Sequence, residues 1–308
     1  MASYSSGPLE SLDTQPLSQR QVLRIGGFDR TYYVVPPTSA TGNPHRPLLL
    51  VYHGGGGSAT DLLAGTRLAF EGNRAGMVVA FLEAAEGYGA RWATSPSDLA
   101  VVDDLQFSRA VVDDIAANFP IDRKRVFAAG FSRGGDLVAQ IACRAPDMLR
   151  AAAAVASTMP VTSRGWCDTT AQSSVQSSIA LVIGSQDPLM PWDGGVTGRM
   201  AALETATFWG ERNGCRNAVP APQSFPAYSG FRSSRYTLDA CTLAEVQLYR
   251  VGGGRWAVGG GRGARGEGIV MPAGVAQWRR RAVRWCPGQE ALQQQARAAA
   301  MAAPCRPG

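Results

Sequence analysis

A serine flanked by glycines, in Gly130-Phe131-Ser132-Arg133-Gly134, is the group of residues best suited to chemistry in this chain. A mainly apolar run at 125–129 precedes it, and a helical pattern at 136–142 follows it. In that setting, small residues allow a tight strand-to-helix turn that lifts the serine hydroxyl off the sheet edge. The pattern predicts Ser132 as a nucleophile at such an elbow, although the five-residue pattern also arises by chance.

A serine hydroxyl is a weak nucleophile unless a base lies within hydrogen-bond reach. The usual base is a histidine that a carboxylate orients, with the chain order serine, acid, histidine in one large class of hydrolases. The two histidines here, His45 and His53, both precede Ser132. His53 stands in a His-Gly-Gly loop, where such a residue either braces the loop or acts as the base, and His45 is expected to be solvated. No histidine follows the serine.

The surrounding pattern predicts the elements that would position these residues. Short apolar runs of the kind expected for strands buried on both faces occur at 48–52, 77–82, 151–156, 179–183 and 245–249, and another strand is predicted at 31–35. Helical patterns occupy 60–74, 102–119 and 199–213 besides the one after Ser132. The alternation predicts an α/β fold with a mostly parallel central sheet and helices on both faces. Its site should lie at the carboxyl ends of the strands.

The distribution of charge argues against a nucleic-acid partner. The net charge is +6, but residues 251–308 hold nine Arg against two acidic residues, so residues 1–250 carry −1. The basic excess lies in a Gly- and Ala-rich tail without a nucleic-acid-binding motif. No run approaches the ~18 uncharged apolar residues of a membrane helix, so we also expect no membrane partner.

Cysteine spacing and the N-terminus bear on metals and on the cellular compartment. The six cysteines are Cys143, Cys167, Cys215, Cys241, Cys286 and Cys305. They are not at zinc-site spacings, so we expect no metal, and their even number permits disulfides in an oxidising compartment. Residues 1–20 lack the basic start and apolar stretch of a signal peptide, which leaves the compartment open.

An ordered set of motifs resembles the poly(3-hydroxybutyrate) depolymerase and feruloyl esterase family of α/β-hydrolases. The matching segments cover about residues 29–254 and are 48–57, 102–104, 120–126, 130–135, 142–147, 184–195, 213–215, Cys241 and the strand before Gly252-Gly253-Gly254. Each motif is moderately specific, whereas the set in this order is strong. Members of this family are often secreted, with a cytoplasmic location as the alternative.

The resemblance implies roles for residues at the matching positions. Ser132 falls on the nucleophile and Asp187 on the acid that orients the base, although Asp187 could instead cap a turn before Pro188. The backbone N–H of Arg133 and one from Gly54 or Gly55 fall on the oxyanion hole. The family resemblance implies no cofactor, and we expect a small-molecule or polymeric ester as substrate and a monomeric protein.

The third member of the implied triad departs from the family pattern. In relatives a histidine follows the triple glycine, with a tryptophan shortly after, whereas this chain has Arg255 followed by Trp256. An arginine stays protonated and cannot accept the serine's proton. Cys215 and Cys241, which bracket a Pro- and Ser-rich loop, are expected to form a disulfide if the chain reaches an oxidising compartment, and Cys143 is expected to be a small core residue.

These patterns divide the chain into three parts. Residues 1–24 are predicted to be a flexible lead-in, residues 25–254 the α/β-hydrolase domain, and residues 255–308 an atypical tail. The tail is interpreted either as a divergent, partly disordered segment or as a segment translated out of frame, because its Gly, Ala and Arg content replaces both the histidine and the expected closing helix.

Two functions from different classes follow. One is a serine carboxylic-ester hydrolase that forms an acyl-enzyme but has no triad histidine in this chain. The other is a catalytically inactive binding protein that uses the same pocket. Intact Ser132 and Asp187 favour the first, and Arg255 favours the second.

Overall fold

The computed structural model describes residues 17–37, 45–94, 98, 102–163, 167, 175–195, 198–216, 222–228, 231–238 and 240–252. The chain divides into two compact units, Met1–Val270 and Met271–Gly308, and every described residue belongs to the first. No helix in the described part is long and apolar enough to cross a membrane.

The described residues form ten strands and five helices. The strands are β1 (Gln19–Ile25), β2 (Phe28–Val35), β3 (Arg46–Tyr52), β4 (Val78–Leu82), β5 (Ile121–Phe131), β6 (Ala151–Val155), β7 (Ser178–Gly184), β8 (Gln223–Tyr228), β9 (Phe231–Leu238) and β10 (Val246–Val251). The helices are α1 (Ala59–Gly65), α2 (Leu68–Arg74), α3 (Asp104–Asn118), α4 (Arg133–Arg144) and α5 (Ala202–Arg212). The single helix predicted at 60–74 is two helices, α1 and α2, separated near Thr66.

All ten strands belong to one sheet, in the order β1-β2-β4-β3-β5-β6-β7-β10-β9-β8. The six central strands, from β4 to β10 in that order, are parallel to one another. Both edges are antiparallel, with β1, β2 and β4 at one side and β10, β9 and β8 at the other. The prediction of a mostly parallel sheet was therefore wrong: the sheet is mixed. The hairpins β1–β2 and β8–β9 pair antiparallel because a tight turn joins their strands, and β2 and β9 also run antiparallel to β4 and β10.

The first strand of one edge hairpin begins inside the segment 1–24 that was predicted to be a flexible lead-in. Strand β1 begins at Gln19 and pairs with β2 through the two-residue turn Gly26-Gly27, where both φ angles are positive. Positive φ at both positions suits a tight hairpin turn, and glycine adopts it without steric cost. Residues 19–24 of the predicted lead-in thus belong to strand β1.

The second edge hairpin corrects the segment between Cys215 and Cys241. The sequence suggested a Pro- and Ser-rich loop, but the structure has β8 and β9 there, paired with a register shift between Phe225 and Tyr228. Pro226 lies in the outermost strand, where a residue without a backbone N–H is tolerated.

Helices cover both faces of the sheet, as the sequence predicted. Alternate residues of β3 enter different apolar clusters, because successive side chains of a strand point to opposite faces. Leu50 belongs to the large cluster that includes side chains of α3, α4 and α5. Val51 belongs to the smaller cluster with residues of α1 and α2. The central strands are therefore rigidly held, and the loops at their carboxyl ends have fixed starting points.

Candidate active site

Ser132 occupies a strained turn between β5 and α4. Its φ is 51° and its ψ is −116°, a combination that non-glycine residues rarely adopt. Its backbone N–H donates to the carbonyl oxygen of Val155 in β6, at 2.8 Å, and its own carbonyl oxygen accepts from the N–H of Asp136 in α4. Strain of this kind persists only where the surrounding structure enforces it, and it is concentrated at functional sites.

The glycines around Ser132 are required by close backbone approaches. A Cβ atom on Gly130 would lie 2.1 Å from the carbonyl oxygen of Gly134. A Cβ atom on Gly134 would lie 2.4 Å from the carbonyl oxygen of Tyr52, at the end of β3. Both distances are too short for any side chain. The predicted elbow is therefore present, and it packs directly against the end of the neighbouring strand.

The loop after β3 lies against the elbow, where the sequence placed the oxyanion hole. A Cβ atom on Gly54 would lie 3.0 Å from the ring of Phe131, and one on Gly55 would lie 3.7 Å from the Cβ of Arg133. The N-terminus of α4 begins at Arg133, so its first backbone N–H groups and the partial positive charge of the helix face this same region. The structure thus brings together the three residues that the sequence proposed as donors.

His53 is held inside the Gly54 loop by contacts that occupy both ring nitrogens. Its Nδ1 lies 2.7 Å from the carbonyl oxygen of Gly54. Its Nε2 lies 3.1 Å from the backbone N of Ala84 and 3.0 Å from Oε1 of Glu83, at the end of β4. Trp92 donates through Nε1 to the carbonyl oxygen of His53. The ring is buried and faces β4, which pairs with β3 on the side opposite to β5. This geometry favours the loop-bracing interpretation.

His45 lies at the amino ends of the parallel strands, whereas Ser132 lies at their carboxyl ends. It precedes β3, and its carbonyl oxygen accepts from the guanidinium of Arg125 at 2.6 Å. Since β3 and β5 are parallel, residues before β3 and residues after β5 are separated by the length of the strand, about 20 Å for seven residues. His45 therefore cannot reach Ser132.

Asp187 follows β7 at the same sheet edge as Ser132. Strand β6 lies between β5 and β7, so the two residues stand about 10 Å apart in the hydrogen-bonding direction. The side chain of Asp187 is buried, and its Oδ1 accepts from the backbone N–H groups of Leu189 and Met190, each at 2.9 Å. These bonds cap the turn, as the alternative interpretation expected, and they also fix the carboxylate. Its Oδ2 takes part in neither of these two bonds.

The position at which the motif resemblance implies a histidine follows β10, which pairs with β7. That position is Arg255, and it lies outside the described residues, as does the whole 255–308 segment. The described strands β5, β7 and β10 are parallel, so their carboxyl ends lie on the same side of the sheet. They follow one another along the chain in the order that a serine, an acid and a base have in this class of hydrolases.

A buried ion pair beneath the elbow was not anticipated from the sequence. Asp136, in the first turn of α4, accepts two hydrogen bonds from Arg199, at 2.8 and 2.5 Å. Ser157, just after β6, donates to the same carboxylate at 2.5 Å. Arg199 also donates to the carbonyl oxygen of Thr158. These bonds connect α4 to the loop after β6, which carries Ser157 and Thr158, and to the segment before α5, which carries Arg199. Their sequence separation left no local pattern to detect.

Two cysteine pairs lie at bonding distance. Cys215 and Cys241 are joined, with Cα atoms 3.6 Å apart, as the sequence predicted. Cys143, predicted to be only a small core residue, is indeed fully buried but is joined to Cys167, with Cα atoms 5.5 Å apart. Arg212 of α5 donates to the carbonyl oxygens of both residues of this second pair. The elbow helix is thereby fixed at its C-terminal end as well.

The ten-stranded sheet, its covering helices and the serine elbow define an α/β-hydrolase. The chain belongs to the family of the PHB depolymerase esterases, whose sequence profile matches residues 30–186. The resemblance noted from the motifs is thereby confirmed. That profile covers β2 to β7 and includes both Ser132 and the start of the loop that carries Asp187.

Individual relatives agree with this family. The chain is 33% identical over 174 residues to "Putative esterase NocK" of Nocardia uniformis subsp. tsuyamanensis, covering 55% of this chain and 48% of that protein. It is 32% identical over 190 residues to feruloyl esterase B of Piromyces equi, covering 58% of this chain and 34% of that protein. The chain thus spans about half or less of the length of these two relatives.

Solved structures support the fold. The acetyl xylan esterase from Aspergillus awamori superposes with a TM-score of 0.60 at 14% identity, covering 78% of this chain and 94% of that one. Esterase 2 of Thermogutta terrifontis gives a TM-score of 0.56 at 15% identity, covering 90% and 97%. At this identity the likeness concerns the arrangement of the sheet and helices only.

Proposed function

We propose that this chain is a serine carboxylic-ester hydrolase of the polyhydroxybutyrate depolymerase and feruloyl esterase type, with Ser132 as nucleophile and Asp187 as acid, in which no histidine of the chain serves as base. The observation that carries the proposal is the strained conformation of Ser132 between β5 and α4, with the Gly54 loop packed against it. This arrangement exposes a hydroxyl next to backbone donors, which is the requirement of acyl transfer.

The reaction would proceed in two stages. Ser132 Oγ attacks the ester carbonyl carbon, and the N–H groups of Arg133 and of Gly54 or Gly55 stabilise the negative oxygen of the tetrahedral intermediate. Collapse of that intermediate releases the alcohol and leaves an acyl-Ser132 ester. Water then attacks this ester and releases the acid. Each stage needs a group that takes a proton from the attacking oxygen and returns one to the leaving oxygen.

Neither of the two histidines of the chain is in position for that proton transfer. His53 holds its loop with both ring nitrogens and faces β4. His45 lies at the amino ends of the parallel strands, away from Ser132. At the position that the family motif assigns to the base, Arg255 carries a permanent proton. Asp187 therefore has no imidazole from this chain to orient, and we expect slow acylation and slow deacylation.

The second candidate function is a hydrolase-fold protein that binds esters without turning them over. Arg255 is the observation that favours it, because a permanently protonated side chain cannot accept the proton of Ser132. In that case Ser132 would line a binding pocket only.

Mass spectrometry distinguishes the two candidates. The full chain and the Ser132→Ala variant are incubated with an excess of p-nitrophenyl butyrate and then digested. The proposal predicts a butyryl adduct on the peptide that contains Ser132, and none in the variant. An unmodified Ser132 peptide after prolonged incubation, with the ester still bound reversibly, would favour the binding protein. A fluorophosphonate probe, which reacts with activated serines, provides the same comparison with a different electrophile.

A further inference from the structure

A group of charged side chains lies beside the elbow, on the side of the Gly54 loop. Arg133, the residue after Ser132, places Nη2 3.5 Å from Oδ2 of Asp98. Arg91 places Nη2 3.9 Å from the other carboxylate oxygen of Asp98. Two guanidinium groups therefore share one buried carboxylate, and the cluster carries a net positive charge.

The carboxylate of Asp98 also accepts a short hydrogen bond from a neutral donor. The hydroxyl of Tyr88 donates to its Oδ1 at 2.5 Å, and the hydrogen bond to Asp98 is the main cause that raises the pKa of the Tyr88 phenol. Tyr88 thus remains a donor at neutral pH. By contrast, the two arginines stand beyond the 2.7–2.9 Å typical of charge-assisted hydrogen bonds. Neither guanidinium is engaged in the close, two-bond pairing with a carboxylate that Arg199 makes with Asp136.

Arg133 also retains donor capacity. Its Nε is buried and has no hydrogen-bond partner among the described residues, although buried donors are nearly always paired in native proteins. Its side chain as a whole is only 36% exposed. The Cβ and Cδ atoms of Arg133 lie against Gly55, so the side chain runs along the proposed oxyanion loop. Because this Nε atom is buried, an acceptor beside that loop would reach its N–H only after the Arg133 side chain shifts.

We propose that Arg133, assisted by Arg91, is a specificity-determining residue that receives a free carboxylate of the substrate. The substrate class is then an ester that carries a carboxylate a few bonds from the scissile carbonyl, such as an acylated hydroxy acid or the monoester of a dicarboxylic acid. This inference rests on the proposed function, because it assumes that the ester carbonyl is bound at the N–H of the same residue, Arg133.

The chemistry of the group favours a carboxylate. A guanidinium presents parallel N–H groups that match the two oxygens of a carboxylate, and the loose pairing with Asp98 leaves such an edge available. A neutral ester would leave the Nε–H of Arg133 without a partner, whereas the guanidinium of Arg91 already lies over the ring of Tyr88, 4.9 Å from its centroid. Partial burial strengthens the attraction, because solvent and salt screen it less than at an open surface.

Binding of a matched pair of unreactive analogues tests the inference on the full chain. In 3-acetamidobutanoate, the amide analogue of an acetylated hydroxy acid, the carboxylate is present, and 3-acetamidobutanamide replaces it with a neutral group. By calorimetry or ligand-observed NMR we expect the carboxylate to bind at least about tenfold more tightly, equivalent to ~1.4 kcal/mol. Added salt should reduce this preference.

Variants locate the preference. Arg133→Gln should bring the two affinities close together, and Arg133→Lys, which keeps the charge but loses the planar fork, should retain part of the difference. Arg109→Gln is the matched control, because Arg109 is an exposed residue of α3 paired at 3.4 Å with Asp147. That variant should leave the preference unchanged. Thermal melts of all variants establish that they are folded.

Equal affinity for the two analogues in the unmodified chain would overturn the inference, and so would a preference that survives Arg133→Gln. The proposed function is tested separately, since Ser132→Ala should keep the preference while losing the acyl adduct. A chain that is acylated at Ser132 but does not discriminate between the analogues retains the proposed function and loses this inference. A chain that discriminates but is never acylated retains the anion site and loses the proposed nucleophile.

Discussion

Gly130 and Gly134 touch across the turn at Ser132, so closely that a Cβ atom on Gly130 would lie 2.1 Å from the carbonyl oxygen of Gly134. The contact joins the end of β5 to the first turn of α4. It forces the chain to reverse within two residues and holds Ser132 at a positive φ of 51°. The position of the hydroxyl is thus determined by backbone packing and does not depend on the missing base.

The first prediction concerns this contact. Gly130→Ala should lower the free energy of unfolding by several kcal/mol or prevent folding, because a methyl group cannot fit against backbone atoms and overpacking typically costs about 1–3 kcal/mol even where side chains can move. Urea denaturation measures the change. Gly65→Ala is the matched control, since nothing lies within 4 Å of its added methyl group at the end of α1. Equal stability of the two variants would contradict the close approach.

The second prediction concerns the buried pair of Asp136 and Arg199. Asp136→Asn should destabilise the fold by about 3–5 kcal/mol, because it leaves a buried guanidinium without its counter-charge. Asp113→Asn is the control, because Asp113 also pairs with an arginine, Arg123. The two atoms are 2.5 Å apart, but both side chains are exposed. Removal of that pair should change stability by no more than about 1 kcal/mol. Similar losses for both variants would refute the importance of burial.

The third prediction concerns the two disulfides. Peptide mapping under non-reducing conditions should recover Cys143 linked to Cys167 and Cys215 linked to Cys241. The double variant Cys215→Ser with Cys241→Ser should lose about 3 kcal/mol of stability in the chain-entropy description, given a separation of 26 residues. Any other linkage among the four, or an unchanged unfolding transition after their removal, would contradict the structure.

Local patterns in the sequence predicted the central strands and the elbow. They could not predict contacts between residues that are far apart in the sequence. The five-residue glycine-serine motif, together with the strand and helix patterns that flank it, predicted the turn at Ser132. The Asp136–Arg199 pair joins residues 63 positions apart, with no local pattern at either. Six cysteines permit fifteen pairings, so the partner of Cys143 could not be deduced from spacing.

The edges of the sheet were predicted less well for a related reason. Strand β1 is half exposed and contains polar residues at most positions, which made it resemble a lead-in. The signal that could have identified it is Gly26-Gly27, a pair typical of tight hairpins. The roles of Ser132, Asp187 and the oxyanion donors stay predictions, and the rate measurements below test the role of Ser132.

The fourth prediction concerns the segment after Gly254. Replacing residues 255–308 with the corresponding segment of an intact relative should raise ester hydrolysis by orders of magnitude, since it supplies a histidine together with the chain that positions it. Arg255→His alone should recover little, because the remaining tail would not orient the ring. Steady-state kcat/KM for p-nitrophenyl butyrate measures both.

The out-of-frame interpretation is tested on the coding DNA: a Gly-His-x-Trp pattern near codon 255 in another frame supports it, and its absence from both frames contradicts it.

Hydrolysis by the unmodified chain is the most direct measurement of the central claim, that Ser132 sits in an intact elbow without a base. The rate of p-nitrophenyl butyrate hydrolysis is compared between the unmodified chain and Ser132→Ala. In serine hydrolases, loss of a triad member leaves a residual acceleration of about 10³–10⁴ over water. Because this residual rate is far below that of an intact enzyme, we predict activity near background for the unmodified chain. Strong hydrolysis that Ser132→Ala abolishes would contradict the account and require another base, with His53 the first residue to replace.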